Sequence, residues 1–111
     1  MSSRRAAFDR QLEAFNVRDL ESFVNAYNSD ATISRDETLF LNGREEIRSF
    51  YQDRFRDPSL HCDVIRCVEL GERWLVAHEK VSSVDSVVEV VAVFEIENAR
   101  IIRAQLVTKS S

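Results

Sequence analysis

The spacing of apolar residues changes halfway along this 111-residue chain, and that change limits the folds it can adopt. In the first half, Phe8, Leu12 and Phe15 recur at the three- and four-residue intervals of one helix face. From residue 60 onwards the chain has strand character, and turn residues divide it into four long stretches. Helices followed by consecutive strands indicate an α+β fold, with the helices on one face of an antiparallel sheet.

Turn and cap residues set the expected element boundaries. Asp19 is a typical helix N-cap residue, and the second helix that it begins is expected to carry Leu20, Phe23, Val24 and Tyr27. No linker or internal repeat is visible, so residues 1–111 are expected to form a single domain. The remaining expected elements are short strands at 31–35 and 38–41, a third helix at 44–56, and long strands at 60–70, 73–82, 87–97 and 100–108.

Composition and charge argue against several partners. A net charge of −4 does not suit a nucleic-acid-binding surface. The longest apolar run, residues 90–94, is far shorter than the ~20 residues of a membrane span, and no apolar leader follows Arg4-Arg5. We therefore expect no nucleic acid, no membrane and a cytoplasmic location.

The chain also lacks the usual signatures of metal and cofactor sites. Cys62 and Cys67 lie five residues apart in one expected strand, about 16 Å by strand geometry, which is too far for a disulfide. No Cys and His spacing suits zinc, and Gly43 and Gly71 are isolated at turns rather than gathered in a phosphate loop. We therefore expect no metal and no cofactor.

The expected hairpin between strands 73–82 and 87–97 decides which side chains face the helices. A turn centred near Val84 pairs residues whose numbers are both even, so that they share one face. We assign this face to the helix-covered side because the even-numbered residues from 88 to 96, which lie on it, are all apolar. The pairs are Trp74 with Phe94, Val76 with Ala92, and His78 with Val90.

The opposite face of this hairpin is a mixture of apolar residues and glutamates. Val91 and Val93 lie there among Glu79, Glu89 and Glu95 on this interpretation. Such a face is too apolar for open water, so a homodimer formed through the sheet is expected.

Five segments carry a recognisable pattern over nearly the whole chain. They are NVRDLESFVNAY at 16–27, DATI at 30–33, NGREEIRSFY at 42–51, WLVAHEKV at 74–81 and VFEIENARIIR at 93–103.

In these segments the chain resembles the nuclear transport factor 2-like superfamily, and within it the SnoaL-like and ketosteroid-isomerase-like proteins. The resemblance implies a cone-like curved antiparallel sheet with three N-terminal helices packed on its concave face. It also implies an apolar pocket that opens at one end, and commonly a homodimer. The superfamily includes isomerases, cyclases, dehydratases and non-catalytic modules, so the resemblance does not fix the reaction.

The catalytic residues of ketosteroid isomerases are not retained. By the spacing of the shared segments, the oxyanion-hole Tyr falls at Gln11, the base at Arg35 and the strand Asp at Ala92. Asp36 lies one residue beyond the base position, where a strand would direct it to the other face unless a bulge intervenes. Steroid isomerisation by the family's mechanism is therefore not expected.

His78 is the strongest remaining candidate for proton transfer, because imidazole titrates near neutrality and the residue is expected to face the pocket. Asp36 could orient it. A structural His and a solvated loop carboxylate are the alternatives. The expected pocket is lined by Phe23, Tyr27, Tyr51, Trp74, Val76, Val90, Ala92 and Phe94.

Two functions remain open on these residues. The first is a cofactor-free enzyme that isomerises or dehydrates a small, largely apolar molecule, with His78 as proton carrier and Asp36 as its partner. The second is a non-catalytic ligand-binding or dimeric assembly module of the same fold.

Overall fold

A computed structural model of the chain describes residues 3–108, which form three helices and six strands. The helices precede the four long strands, as the sequence predicts. The helices are α1 (Ser3–Val17), α2 (Leu20–Asn25) and α3 (Arg44–Arg54), and the strands are β1 (Tyr27–Arg35), β2 (Thr38–Asn42), β3 (His61–Leu70), β4 (Trp74–Ser82), β5 (Val87–Glu97) and β6 (Arg100–Thr108). None of the helices within this range has the length and apolar character needed to cross a membrane.

The chain leaves the second helix earlier than the spacing predicts. Asp19 caps α2 by accepting a hydrogen bond from the Ser22 amide at 3.2 Å, as expected. The helix ends at Asn25, however, and Tyr27 begins β1 instead of completing the helix. The reason is tertiary: the amide of Ile101 donates a 2.9 Å hydrogen bond to the Ala26 carbonyl, which draws this segment into the sheet beside β6.

The six strands form one curved, open sheet in the order β2-β1-β6-β5-β4-β3. Strands β3 to β6 form the predicted antiparallel meander, and β1 pairs with β6 in parallel, so the sheet is mixed rather than wholly antiparallel. Irregularities of register between Val64 and Arg66, and between Glu95 and Ile96, interrupt the ladders. Bulges of this kind bend strands and favour the observed curvature.

Aromatic contacts join the helices to the concave face of the sheet. Phe8 of α1 packs edge-on against Phe94 of β5, with 5.5 Å between ring centroids. Phe23 of α2 contacts Tyr51 of α3 at 4.6 Å. Burial of each such ring contributes about 1.5–3 kcal/mol, so these contacts help to fix the helical layer over the sheet.

The register of the β4–β5 hairpin differs by one residue from the prediction. Residues 83–86 form a four-residue loop, closed by a 2.8 Å hydrogen bond from the Ser83 amide to the Ser86 carbonyl. Pairing therefore begins with Ser82 opposite Val87, and each odd-numbered residue of β4 lies opposite an even-numbered residue of β5. A one-residue change of register turns every side chain of one strand to the other face. The even-numbered row of β5 faces the helices as predicted, but it is joined there by Leu75, Ala77 and Glu79.

Candidate functional site

A cavity of about 260 Å³ lies between the helices and the concave face of the sheet. Its walls combine apolar and aromatic side chains with polar groups, which include two arginines, a glutamate, a glutamine and two tyrosines. The apolar wall includes Leu12, Phe15, Phe23, Val90, Phe94 and Leu106. The size is slightly below the ~300–1,000 Å³ typical of ligand pockets.

Five of the eight predicted pocket residues line this cavity: Phe23, Tyr27, Tyr51, Val90 and Phe94. Ala92 is fully buried on the concave face, but it packs in the core and does not reach the cavity wall. The prediction for Trp74 and Val76 is wrong. Because of the hairpin register, both side chains lie on the convex face of the sheet, where Trp74 is 36% exposed.

His78 also lies on the convex face, outside the cavity. Its Nε2 atom is 2.9 Å from Oε1 of Glu89, and both side chains are about 40% exposed. The expectation that His78 faces the pocket is therefore wrong, and the same one-residue register shift is the cause.

Asp36 contacts a different element from the one predicted. It has a left-handed backbone conformation (φ 48°) in the turn between β1 and β2. Its carboxylate accepts hydrogen bonds from the amide and the hydroxyl of Thr108, at 2.9 and 2.6 Å, and these bonds lower its pKa. Strands β6 and β5 separate β1 from β4, so Asp36 and His78 do not pair. The expected catalytic dyad is not formed.

Glu79 is the carboxyl group that faces the cavity, although the sequence prediction placed it on the opposite face. It is only 7% exposed and lies on β4 opposite Val90. Burial raises its pKa from 4.5 to about 7, and a contact with the Cys62 thiol opposes this shift without cancelling it. The signal that could have found Glu79 is the even number of residues in the 83–86 loop, which gives the observed register.

Neutral hydrogen-bonding groups face the same space. The Tyr27 and Tyr51 phenols and the Gln11 amide line the cavity. None of these three side-chain groups forms a hydrogen bond with another residue of the 3–108 range. Burial raises the pKa of Tyr51 to about 12 and also raises the pKa of Tyr27 well above its usual value. Both phenols are therefore neutral at physiological pH and can donate a hydrogen bond to a ligand.

Asn16 holds the edge strand beside the cavity in place. The Asn16 amide group accepts from the Cys62 backbone N–H at 2.8 Å and donates to the Cys62 carbonyl at 3.0 Å. β3 is an edge strand, so this side chain replaces a neighbouring strand at that position. Cys62 is thereby fixed with its thiol near Glu79, and burial raises the pKa of that thiol.

Two arginines complete the cavity wall. Arg35 ends β1, Arg54 ends α3, and both are partly exposed. Arg35 occupies the position at which the family resemblance placed the isomerase base, so a cation stands where that mechanism needs a carboxylate. Among the described lining residues, Glu79 is the only carboxylate.

A curved open sheet, three helices on its concave face and a cavity between them define a cone-shaped α+β protein of the nuclear transport factor 2-like fold class. Within that class the chain belongs to the SnoaL-like domain family, which residues 8–104 match. No functionally curated protein matches the sequence.

Solved structures support the fold at low sequence identity. A cystatin-fold protein of uncharacterised function from Novosphingobium aromaticivorans superposes with a TM-score of 0.84 at 22% identity, over 96% of this chain and 97% of the other. A candidate ketosteroid isomerase from Kribbella flavida gives 0.85 at 17% identity, over 98% and 79%. A candidate polyketide cyclase from Sinorhizobium meliloti gives 0.79 at 16% identity, over 96% and 99%.

Proposed function

We propose that the protein binds a small, largely apolar molecule in this cavity and that Glu79 transfers a proton on it, without a cofactor, in an isomerisation or a dehydration. The observation that carries the proposal is a carboxyl group 7% exposed in the cavity, with its pKa raised to about 7. A general base is most effective when its pKa is near the working pH, because it is then both ionised and basic. An ordinary glutamate has too low a pKa for this.

The chemistry can be written with this chain's own groups. The Glu79 carboxylate takes a proton from a carbon next to a carbonyl; the C–H electron pair forms a C=C bond and the carbonyl π pair moves onto oxygen, which gives an enolate. The Gln11 amide or a phenol of Tyr27 or Tyr51 can donate a hydrogen bond to that oxygen. Where a C=C bond is conjugated with the enolate, return of the proton from Glu79 to its far carbon re-forms the carbonyl and completes an isomerisation. Where a β-hydroxyl is present, the enolate re-forms the carbonyl and a new C=C bond as the hydroxyl takes the proton from Glu79 and leaves as water, which completes a dehydration.

The names of two structural neighbours are consistent with this type of reaction. One is a candidate ketosteroid isomerase and one a candidate polyketide cyclase. Isomerisation and cyclisation both require proton movement beside a carbonyl group. Because Arg35 replaces the expected base, the proton carrier in this chain would be on β4 rather than on β1.

Proton exchange with solvent tests the proposal without knowledge of the natural substrate. Phenylacetone and phenylpyruvate in D2O are followed by proton NMR for exchange of the C–H next to the ketone. We expect the protein to accelerate exchange of at least one of them, and Glu79→Gln to reduce the rate by about 10²- to 10⁴-fold. His78→Gln, on the convex face, is the matched control and should leave the rate unchanged.

Two results would contradict catalysis by Glu79. One is a full exchange rate in Glu79→Gln, and the other is no acceleration of either probe by the unaltered protein. The second result would favour the non-catalytic binding module.

We also propose that a second copy of the chain covers the convex face of the sheet. Apolar side chains stand exposed there on neighbouring strands, including Val68, Trp74, Val91 and Val107 at 36–52% exposure. A two-fold interface places the same patch of each copy against the other, which suits a face that combines apolar residues with both signs of charge. Light scattering at micromolar concentration should give twice the monomer mass, and a monomeric mass would contradict the proposal.

A further inference from the structure

We propose that the ligand of the cavity is a small carboxylic acid, whose carboxylate is held by Arg35 and Arg54 while its apolar body lies against the aromatic wall. This inference rests on the proposed function, since it concerns the same cavity, and it adds the chemical class of the molecule that enters.

The charge of the cavity is the first argument. The chain as a whole is acidic, with a net charge of −4, yet the described part of the cavity wall contains two arginines and one carboxyl group. Burial keeps that carboxyl, Glu79, partly protonated at neutral pH. The cavity therefore has a net positive charge inside an acidic protein, and that arrangement favours an anionic ligand.

The second argument is that neither cation forms a direct ion pair within residues 3–108, whereas arginines such as Arg48, Arg73 and Arg103 do. Arg35 and Arg54 each lie near enough to one carboxyl, Asp36 and Asp57 respectively, to lower its pKa, but they do not contact it. A guanidinium that lines a cavity without a direct ion pair can form a two-point contact with a ligand carboxylate.

Arg35 carries the most specific signal. Its guanidinium carbon lies 4.6 Å from the centre of the Phe40 ring, which in turn packs at 4.8 Å against Phe50. This contact orients the planar group. Its Nε atom is buried and has no hydrogen-bond acceptor among the described residues. A buried donor without an acceptor is unfavourable, and a small movement of Arg35 into the cavity would let a ligand oxygen accept from it. The Nε atom of Arg44 is also buried without an acceptor, but Arg44 does not line the cavity.

Arg54 approaches the same place from α3. It follows Tyr51 by three residues, so the two side chains lie on one side of the helix. Both Arg54 and Arg35 lower the pKa of the Tyr51 phenol, against the larger effect of burial. The two guanidiniums and the Tyr51 phenol line one cavity, so the phenol can donate a further hydrogen bond to a carboxylate that the arginines bind.

The size and composition of the remaining wall define the body of the ligand. An apolar cavity of about 150 Å³ holds a benzene molecule, so about 260 Å³ accommodates one or two rings but not a steroid skeleton. Phe15, Phe23 and Phe94 supply flat apolar surfaces for such a body. The class is therefore an aryl- or branched-alkyl-substituted acid.

A matched pair of probes tests the inference on the unaltered protein. The dissociation constants of 3-phenylpropionate and its neutral amide, 3-phenylpropanamide, are compared by calorimetry at neutral pH. We expect the acid to bind more tightly by about tenfold or more, the range for a charge-assisted hydrogen bond. Equal or tighter binding of the amide overturns the inference and leaves the proposed function standing. Failure of both probes to bind contradicts the proposed binding function and this inference together.

Variants locate the contact. Arg35→Gln should weaken the acid to about the affinity of the amide, and Arg54→Gln should weaken it several-fold. Arg66→Gln, exposed on the convex side of β3, is the control and should change neither affinity. Glu79→Gln should tighten acid binding, because it removes a negative charge, while it slows proton exchange. An unchanged acid-to-amide ratio in Arg35→Gln would overturn the assignment.

Discussion

Replacement of Glu79 by Gln should make the protein more stable at alkaline pH, although it removes the proposed catalytic group. Glu79 is 7% exposed, and burial raises its pKa from 4.5 to about 7 in the folded protein. In the unfolded chain the same group ionises near 4.5. Between these values the folded protein retains a proton that the unfolded chain has released, so the free energy of unfolding falls as the pH rises.

The magnitude follows from the size of the shift. A pKa difference of one corresponds to about 1.4 kcal/mol. The rise of the Glu79 pKa from 4.5 to about 7 therefore lowers the free energy of unfolding by about 3 kcal/mol once the pH exceeds 7. Below about pH 4.5 both states bind the proton and the cost disappears. Glutamine has a similar shape and no charge, so the variant avoids the cost throughout. A domain with about 5–15 kcal/mol of total stability should show this difference clearly.

Urea unfolding at several pH values between about 5 and about 8 measures the effect. The stability of Glu79→Gln relative to the unaltered protein should rise by about 2.5 kcal/mol over this range, because part of the effect is already present at about pH 5. Glu72→Gln, exposed in the turn between β3 and β4, is the control and should give a flat difference. A flat difference for Glu79→Gln as well would refute the argument that Glu79 is buried and carries a raised pKa.

Two further changes test the supports of the cavity and the convex face. Asn16→Ala removes two hydrogen bonds to the Cys62 backbone and should lower the free energy of unfolding by about 2 kcal/mol in urea titrations. Gln52→Ala, exposed on α3, is the control and should have little effect. Equal stability of Asn16→Ala and the unaltered protein would contradict this role of Asn16. Val91→Glu places a charge on the convex face and should give a monomeric mass by light scattering. The free energy of unfolding of the monomer itself should not fall. A dimer that persists in this variant would place the interface elsewhere.

The elements of the fold could be predicted because their signals are local. Turn residues such as Gly71 and the N-cap Asp19 gave boundaries that lie within one or two residues of those observed for most elements. The end of α2 was an exception, since Tyr27 fits a helical pattern and joins a strand only because β6 lies beside it. The parallel β1–β6 pairing is likewise a contact between distant segments that local patterns do not specify.

The site was predicted less well, and one turn explains most of the difference. Tyr27 and Phe94 line the cavity because large aromatic residues at the apolar positions of their elements are buried between the helices and the sheet. Glu79 and His78 lie on the faces opposite to those predicted because the pairing is centred between Val84 and Asp85 rather than at Val84, which shifts the register by one position. A polar residue on an apolar face contributes little to a hydrophobic pattern, so the pattern alone did not show that Glu79 faces inward.

The most direct test of the account is the ionisation of Glu79 itself. Protein labelled with ¹³C at the glutamate side-chain carboxyl carbon is titrated by NMR, and the Glu79 resonance is assigned by its absence in Glu79→Gln. The account predicts a midpoint of about 7. A midpoint near 4.5, the value for an exposed glutamate, would contradict the buried, proton-carrying role on which the proposed function depends.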